Sequence, residues 1–202
     1  MEREANSTKF LGHDFNQCFQ QMRHYDIQLF DSVKFLTTAY VGLIGIGIGL
    51  YEFGIKEGID FTVAVTVSFL IAFLFGLFIY MFIIRNRVYY VHVTRYVNEI
   101  RKTYLENKPL GFENKSRMYT NYEQPPFFNW RSSQAYLMCV IAFVNSVLCG
   151  AIFFILFSNA CCCWFLALSG SLIFLFLQVG IGILYLKTRE GKSASSSVFG
   201  RD

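Results

Sequence analysis

The sequence reads as an all-α integral membrane protein with four transmembrane helices, the first two continued by helical extensions into the cytoplasm. Three observations lead there. Apolar residues make up 54% of the 202 residues and charged residues 16%, against about 25% charged in an ordinary soluble domain. Phe alone occurs 23 times, and a chain of this length has no core large enough to hide that surface from water. Long stretches carry no charge at all: Phe35–Tyr51, Phe61–Ile84 and Ser132–Leu186. Finally, the basic residues fall almost entirely on one side of an even-numbered topology.

The first element, residues 1–33, is expected as a cytoplasmic amphipathic helix. Leu11, Phe15, Cys18, Met22, Tyr25 and Leu29 recur in alternating steps of four and three, which is a heptad seam. The seam stays in register through Leu36, Tyr40 and Leu43, so the helix should enter the membrane without a break. Ser7-Thr8 offers an N-cap. Glu2, Glu4, Asp14 and Asp26 leave no apolar segment typical of a cleaved signal peptide. The first span is therefore expected to act as an uncleaved signal anchor.

Residues 34–84 form a first transmembrane hairpin. A span needs about 20 residues to cross a hydrocarbon core of roughly 30 Å. Phe61–Ile84 meets this directly, and Phe35–Tyr51 meets it once Val33 and Phe53 are added. Gly42, Gly45, Gly47 and Gly49 lie close together in the first span, and Gly45 and Gly49 form a small-xxx-small pair. Such spacing lets backbones approach closely and weakens the helix relative to Ala. The stretch is read as an intramolecular contact or as a subunit interface and gate.

Residues 85–131 are a basic and aromatic cytoplasmic segment. Tyr89, Val93, Tyr96, Ile100 and Tyr104 repeat the four-three pattern, so the second span should run on for several turns and pair with the N-terminal seam, within one subunit or in an oligomeric bundle. Pro109, Gly111, Pro125 and Pro126 then break the helix. The aromatic residues between Phe112 and Trp130 predict an ordered loop, because disordered linkers are poor in such residues. Residues 132–186 form a second hairpin, divided at Ser158-Asn159 into spans Gln134–Phe157 and Cys163–Leu186. Residues 187–202, rich in Ser, read as a disordered tail.

Charge sets the orientation. Of the 18 Lys and Arg, 17 lie in the N-terminal arm, the 85–131 segment and the tail, and Lys56 alone lies in the intervening loop. The positive-inside rule puts both termini in the cytoplasm of a multi-pass protein, here expected in a bacterial inner membrane.

Groups that could do chemistry are sparse. His13 and His24 lie eleven residues apart and cannot clasp one ion on a straight helix, so no metal site, cofactor or catalytic set is expected. Cys161-Cys162-Cys163 reads as small residues at a tight hairpin, with pairing between subunits the alternative. The spans contain no Asp, Glu, Lys, Arg or His, which argues against proton-coupled transport but not against a hydrophobically gated pore. Asn145, Ser146 and Gln178 are the polar groups available for interhelical bonds. On the cytoplasmic side Arg87, Arg95, Arg101, Lys102, Lys115 and Arg117 alternate with aromatic residues. This pattern suits stacking plus phosphate contacts with a nucleotide or short oligonucleotide. Positive-inside residues facing anionic lipid would give the same charge.

Gln21-Met22-Arg23-His24-Tyr25-Asp26, Arg95-Tyr96-Val97-Asn98-Glu99-Ile100-Arg101 and Gly111-Phe112-Glu113-Asn114-Lys115 sit in an architecture that resembles the small membrane effectors of bacterial anti-phage defence. Among these it looks most like the channel-forming effector of Hailong-type defence. The likeness is architectural and covers most of the chain. It implies a homo-oligomeric channel held or triggered by a nucleotide-derived ligand, with a cognate signalling enzyme as partner. Gly42, Gly45 and Gly49 would then serve gating, and Glu57 and Asp60 would ring the outer mouth and favour cations. The competing expectation is a non-conducting scaffold that recruits partners through its aromatic loop.

Overall fold

The computed structural model describes residues 2–106, 111–115, 120–158 and 160–192. Its elements are four helices, α1 (Glu2–Glu57), α2 (Thr62–Glu106), α3 (Ser133–Leu156) and α4 (Cys163–Lys187). Each is long and apolar enough to cross a membrane. Asn159 and the serines at 193 and 195–197 lie outside the described residues, as does the segment from Asn107 to Leu110. The described parts of α3 and α4 differ from the expected spans by a residue at most ends.

The helix ends have local causes. Helix α1 starts well before Ser7-Thr8, so these residues lie within it and are not the cap. Helix α1 begins at Glu2. It stops at Gly58, whose φ of 68° suits a residue without Cβ. Ile59 N–H then donates to Gly54 O at 3.0 Å, closing the last turn. Asp60 Oδ1 accepts from Thr62 N–H at 2.8 Å, and Ser132 Oγ caps α3 by accepting from Ala135 N–H at 3.2 Å.

The chain divides into two compact units, one made of Met1–Leu29, Arg85–Asn129 and Leu186–Asp202, the other of Phe30–Ile84 and Trp130–Tyr185. The second contains the apolar parts of all four helices. Its centre is built at Gly76 of α2, where an added Cβ would collide with Asn145 Oδ1 of α3 and Tyr40 Oη of α1. That gap admits a hydrogen bond of 2.5 Å from Tyr40 Oη to Asn145 Oδ1. Asn145 is fully buried, so the bond joins α1 to α3 where water cannot compete. Ser68 Oγ donates to Leu43 O at 2.6 Å and Tyr80 Oη to Gln178 O at 2.8 Å, tying α2 to α1 and to α4. Ser146 bonds within its own helix, to Phe143 O. The Gln178 side-chain amide has no protein partner; the backbone of Gln178, not its side chain, makes the interhelical bond.

In the first unit the heptad seam does what its spacing predicts. Leu11, Phe15, Cys18, Met22 and Tyr25 are partly covered while most of their neighbours are exposed, and Leu29 is buried. The tyrosines of the 85–106 stretch meet α1 on that seam at Tyr25 and beside it at Asp14 and Thr8. Tyr25 and Tyr89 stack at 5.9 Å, Tyr96 Oη donates to Asp14 Oδ2 at 2.6 Å, and Tyr104 Oη donates to Thr8 O at 3.1 Å. These pairings lie within one chain.

Candidate functional site

The 85–106 stretch of α2 has two working faces. One carries the tyrosines just described. The other buries Arg87, Val91, Thr94, Val97 and Asn98, and the loop before α3 lies on it. Asn98 Nδ2 donates to Gln124 O at 2.9 Å and to Asn121 O at 3.3 Å. Arg87 donates from Nε to Phe127 O at 3.0 Å and from Nη2 to Pro126 O at 2.8 Å. Arg95 Nε donates to Pro125 O at 3.1 Å, its Nη2 pairs with Glu190, and its guanidinium lies 4.7 Å from the centre of the Phe127 ring. Phe127 itself is fully buried. Arg87 and Arg95, expected as ligand contacts, thus hold the loop.

Burial, with the nearby charge of Arg95 as a lesser cause, lowers the Arg87 pKa. Burial also lowers that of His92, helped by Arg95 and Arg189. Tyr96 is pushed up to about 12, first by its hydrogen bond to Asp14.

The other basic residues gather elsewhere in the same unit. Gly12, Phe15, Ile100, Arg101, Tyr104, Leu105, Phe112 and Asn114 line a cleft of about 540 Å³. Lys102, Glu106, Glu113, Lys115 and Thr120 join Leu105, Phe112 and Asn114 around a second, of about 440 Å³. Both volumes fall in the range of small-molecule sites. Arg101, Lys102 and Lys115 are therefore assembled around Phe112, whose ring is exposed. Arg101 lies 5.3 Å from the centre of the Phe15 ring and Lys102 5.4 Å from that of Tyr122. Glu106 and Glu113 stand in the same lining and temper the positive field. Arg117 lies outside the described residues. An exposed aromatic face beside three cations can stack a base and hold a phosphate. Sequence spacing identified the cations; the part played by Phe112 and Asn114 depends on the fold of residues 111–115.

No protein-family model, curated protein or solved structure matches the chain.

The residues expected at a gate are arranged differently from the close intramolecular contact envisaged as one reading. An added Cβ at Gly42, Gly45 or Gly49 would meet nothing within 4 Å, whereas one at Gly47 would press on the Phe69 ring at 2.6 Å. Gly47 makes the contact within the chain. Gly42, Gly45 and Gly49, at steps of three and four, form an open stripe on one face of α1. Glu57 is the exposed last residue of α1. Hydrogen bonds from Thr62 hold the Asp60 carboxyl below the usual range. The thiols of Cys161, Cys162 and Cys163 are free. Among the described residues no group of three or more His, Cys, Asp or Glu is placed to hold a metal ion.

Proposed function

We infer that the protein is a homo-oligomeric, pore-forming effector of a bacterial inner membrane, controlled by a nucleotide-like ligand in the Phe112 cleft and acting in anti-phage defence. The observation that carries this reading is the dual role of one unbroken helix. Helix α1 supplies Gly12 and Phe15 to the cleft and also carries the open stripe of Gly42, Gly45 and Gly49. A small-residue stripe of this kind suits close packing against another transmembrane helix. The most apolar window of α1 is 11% buried within the protomer, against 39% for α2, so α1 is the span with most face left for a second copy.

A ligand that repositions Phe15 relative to Arg101 therefore acts on the helix that would form the subunit contact. Glu57 and Asp60 then ring the outer mouth and favour cations. The one-sided basic residues support cytoplasmic termini. The resemblance to anti-phage effectors supports the setting and a cognate enzyme that makes the ligand.

Induced expression in bacteria loaded with a potential-sensitive dye tests the reading. Depolarisation that depends on Arg101 and Lys102 is expected; a steady potential with and without added nucleotides would overturn it. The scaffold reading draws on the exposure of Phe112, Tyr122 and Trp130. It predicts harmless expression and a co-purifying partner lost when residues 111–130 are deleted.

A further inference from the structure

Within the membrane unit two buried amides use only part of their hydrogen-bonding capacity. Asn145 of α3 is fully buried. Its Oδ1 accepts from Tyr40 Oη at 2.5 Å, and its Nδ2 has no partner among the described residues. Gln178 of α4 is 6% exposed, and neither its Nε2 nor its Oε1 has a partner there. Two donors and one acceptor are thus unsatisfied in a stretch, Ser132–Leu186, that carries no charge.

The two amides share a level. A Cβ added at Gly170 of α4 would strike the Phe153 ring of α3, and one added at Gly182 would meet Met138 Cε. The two helices are therefore antiparallel, with Asn145 midway between Met138 and Phe153. Gln178 stands two residues from the matching midpoint of α4, about 3 Å along the axis at 1.5 Å per residue. Helical side chains lean toward the N-terminus of their own helix, which for Gln178 is the direction of that midpoint. Asn145 lies seven residues from Met138 and Gln178 four from Gly182, so each amide shares a helix face with one side of that contact. Helix α2 closes the site: Tyr80 Oη donates to Gln178 O at 2.8 Å, and Gly76, one turn earlier, lies against Asn145.

We propose that Asn145 Nδ2 and the Gln178 amide together bind a water molecule between α2, α3 and α4. Leaving three buried polar atoms unsatisfied costs more than immobilising one water. Water both accepts and donates, so one molecule can accept from Asn145 Nδ2 and also serve the Gln178 amide. An ion matches only one sign of these groups, and the spans hold no charge to balance it. Packing sets the size of the guest. A Cβ at Gly182 would already strike Tyr80 Oη and meet Met138 Cε at 3.0 Å, which excludes anything much larger. Tyr40 of α1 is bonded to Asn145 and Tyr80 of α2 to Gln178, so the water completes a polar layer to which all four helices contribute. This proposal is independent of the Phe112 cleft and of any subunit contact.

The test uses the full chain in lipid nanodiscs, deuterated and carrying nitrogen-15 in its Asn and Gln side chains. Nuclear Overhauser cross-peaks between water and the side-chain amide protons of Asn145 and Gln178 are recorded. Both amides should show cross-peaks of the sign given by a long-lived water. Gln178→Met keeps the length of the side chain and removes both polar atoms, so the Asn145 cross-peak should be lost as well. An Asn145 cross-peak that survives Gln178→Met reports a relay through the Tyr40 hydroxyl or a water that the two do not share, and overturns the proposal. Absence of water cross-peaks from both amides, as a direct bond between Asn145 and Gln178 would give, also overturns it. If Gln178→Met does not fold, the unaltered chain decides: a cross-peak at only one amide, or at neither, rules out a shared water.

Discussion

Replacing Gly76 by Ala tests the centre of the membrane unit. At an open helical position the change is favourable, because Ala exceeds Gly in helix propensity by up to about 1 kcal/mol. At Gly76 the new methyl meets Asn145 Oδ1 and Tyr40 Oη, both fixed by their mutual hydrogen bond. Overpacking a tight site costs about 1–3 kcal/mol. An interhelical hydrogen bond in a membrane protein is worth on the order of 0.6 kcal/mol and at most about 1.7. With the propensity gain set against these, Gly76→Ala should destabilise by about 1–3 kcal/mol. Gly42→Ala, where nothing lies within 4 Å, should be neutral or slightly stabilising to the protomer. Unfolding in mixed micelles with increasing dodecyl sulfate, followed by far-ultraviolet circular dichroism, measures both. Asn145→Ala together with Tyr40→Phe removes both obstructing oxygens, so adding Gly76→Ala in that double background should cost much less than it does alone. If Gly76→Ala proves as harmless as Gly42→Ala, or if its cost is unchanged in the Tyr40→Phe, Asn145→Ala background, the packing described for α1, α2 and α3 is wrong.

Further outcomes follow from the first unit. Arg87→Ala strands the carbonyls of Pro126 and Phe127, at about 1–3 kcal/mol for each buried group left unsatisfied, and hydrogen exchange should rise across residues 120–129. Arg87→Lys should not restore protection, since an ammonium lacks the planar fork. Burial, Arg95 and Arg189 hold the His92 pKa below its ordinary 6.5, so the unfolded chain takes up a proton near pH 6.5 that the folded chain refuses. Stability should therefore fall as pH drops through 6.5 and level off below the folded value; His92→Gln should flatten that part of the profile measured between pH 7.5 and 5. In the cleft, Phe112→Ala should weaken binding of a trinucleotide by about 1–3 kcal/mol per stacked base, and Arg101→Ala or Lys102→Ala should reduce its salt dependence. Fluorescence anisotropy with a labelled trinucleotide reads both.

Much of the helical framework is legible in the sequence because apolar periodicity states which face of a helix is buried. Leu11 through Leu29 and Tyr89 through Tyr104 were readable in this way, and they meet. Periodicity says nothing about the chemistry of a second face. Arg87, Thr94 and Asn98 fall at helical spacing beside Val91, yet the arginine looks like any other positive-inside charge. The partners of Arg87 and Asn98 are main-chain carbonyls at residues 121–127, which no side-chain pattern encodes. A local cap signal also misled at Ser7-Thr8, since α1 already begins at Glu2. Of the expected ligand residues, Arg101, Lys102 and Lys115 line clefts that share Phe112, a grouping that no local pattern encodes. Likewise Gly47, not Gly45, touches Phe69: glycine spacing shows where a helix can be approached closely, not which face the neighbour takes.

The mass of the purified particle in detergent or lipid nanodiscs, read by native mass spectrometry, bears most directly on the claim that the open face of α1 is a subunit contact. Protomers of 23.3 kDa should appear as a tetramer or larger, and Gly45→Ile should reduce them to monomers while leaving the helical content unchanged. A 23.3 kDa particle from the unaltered chain would contradict a pore built from these spans.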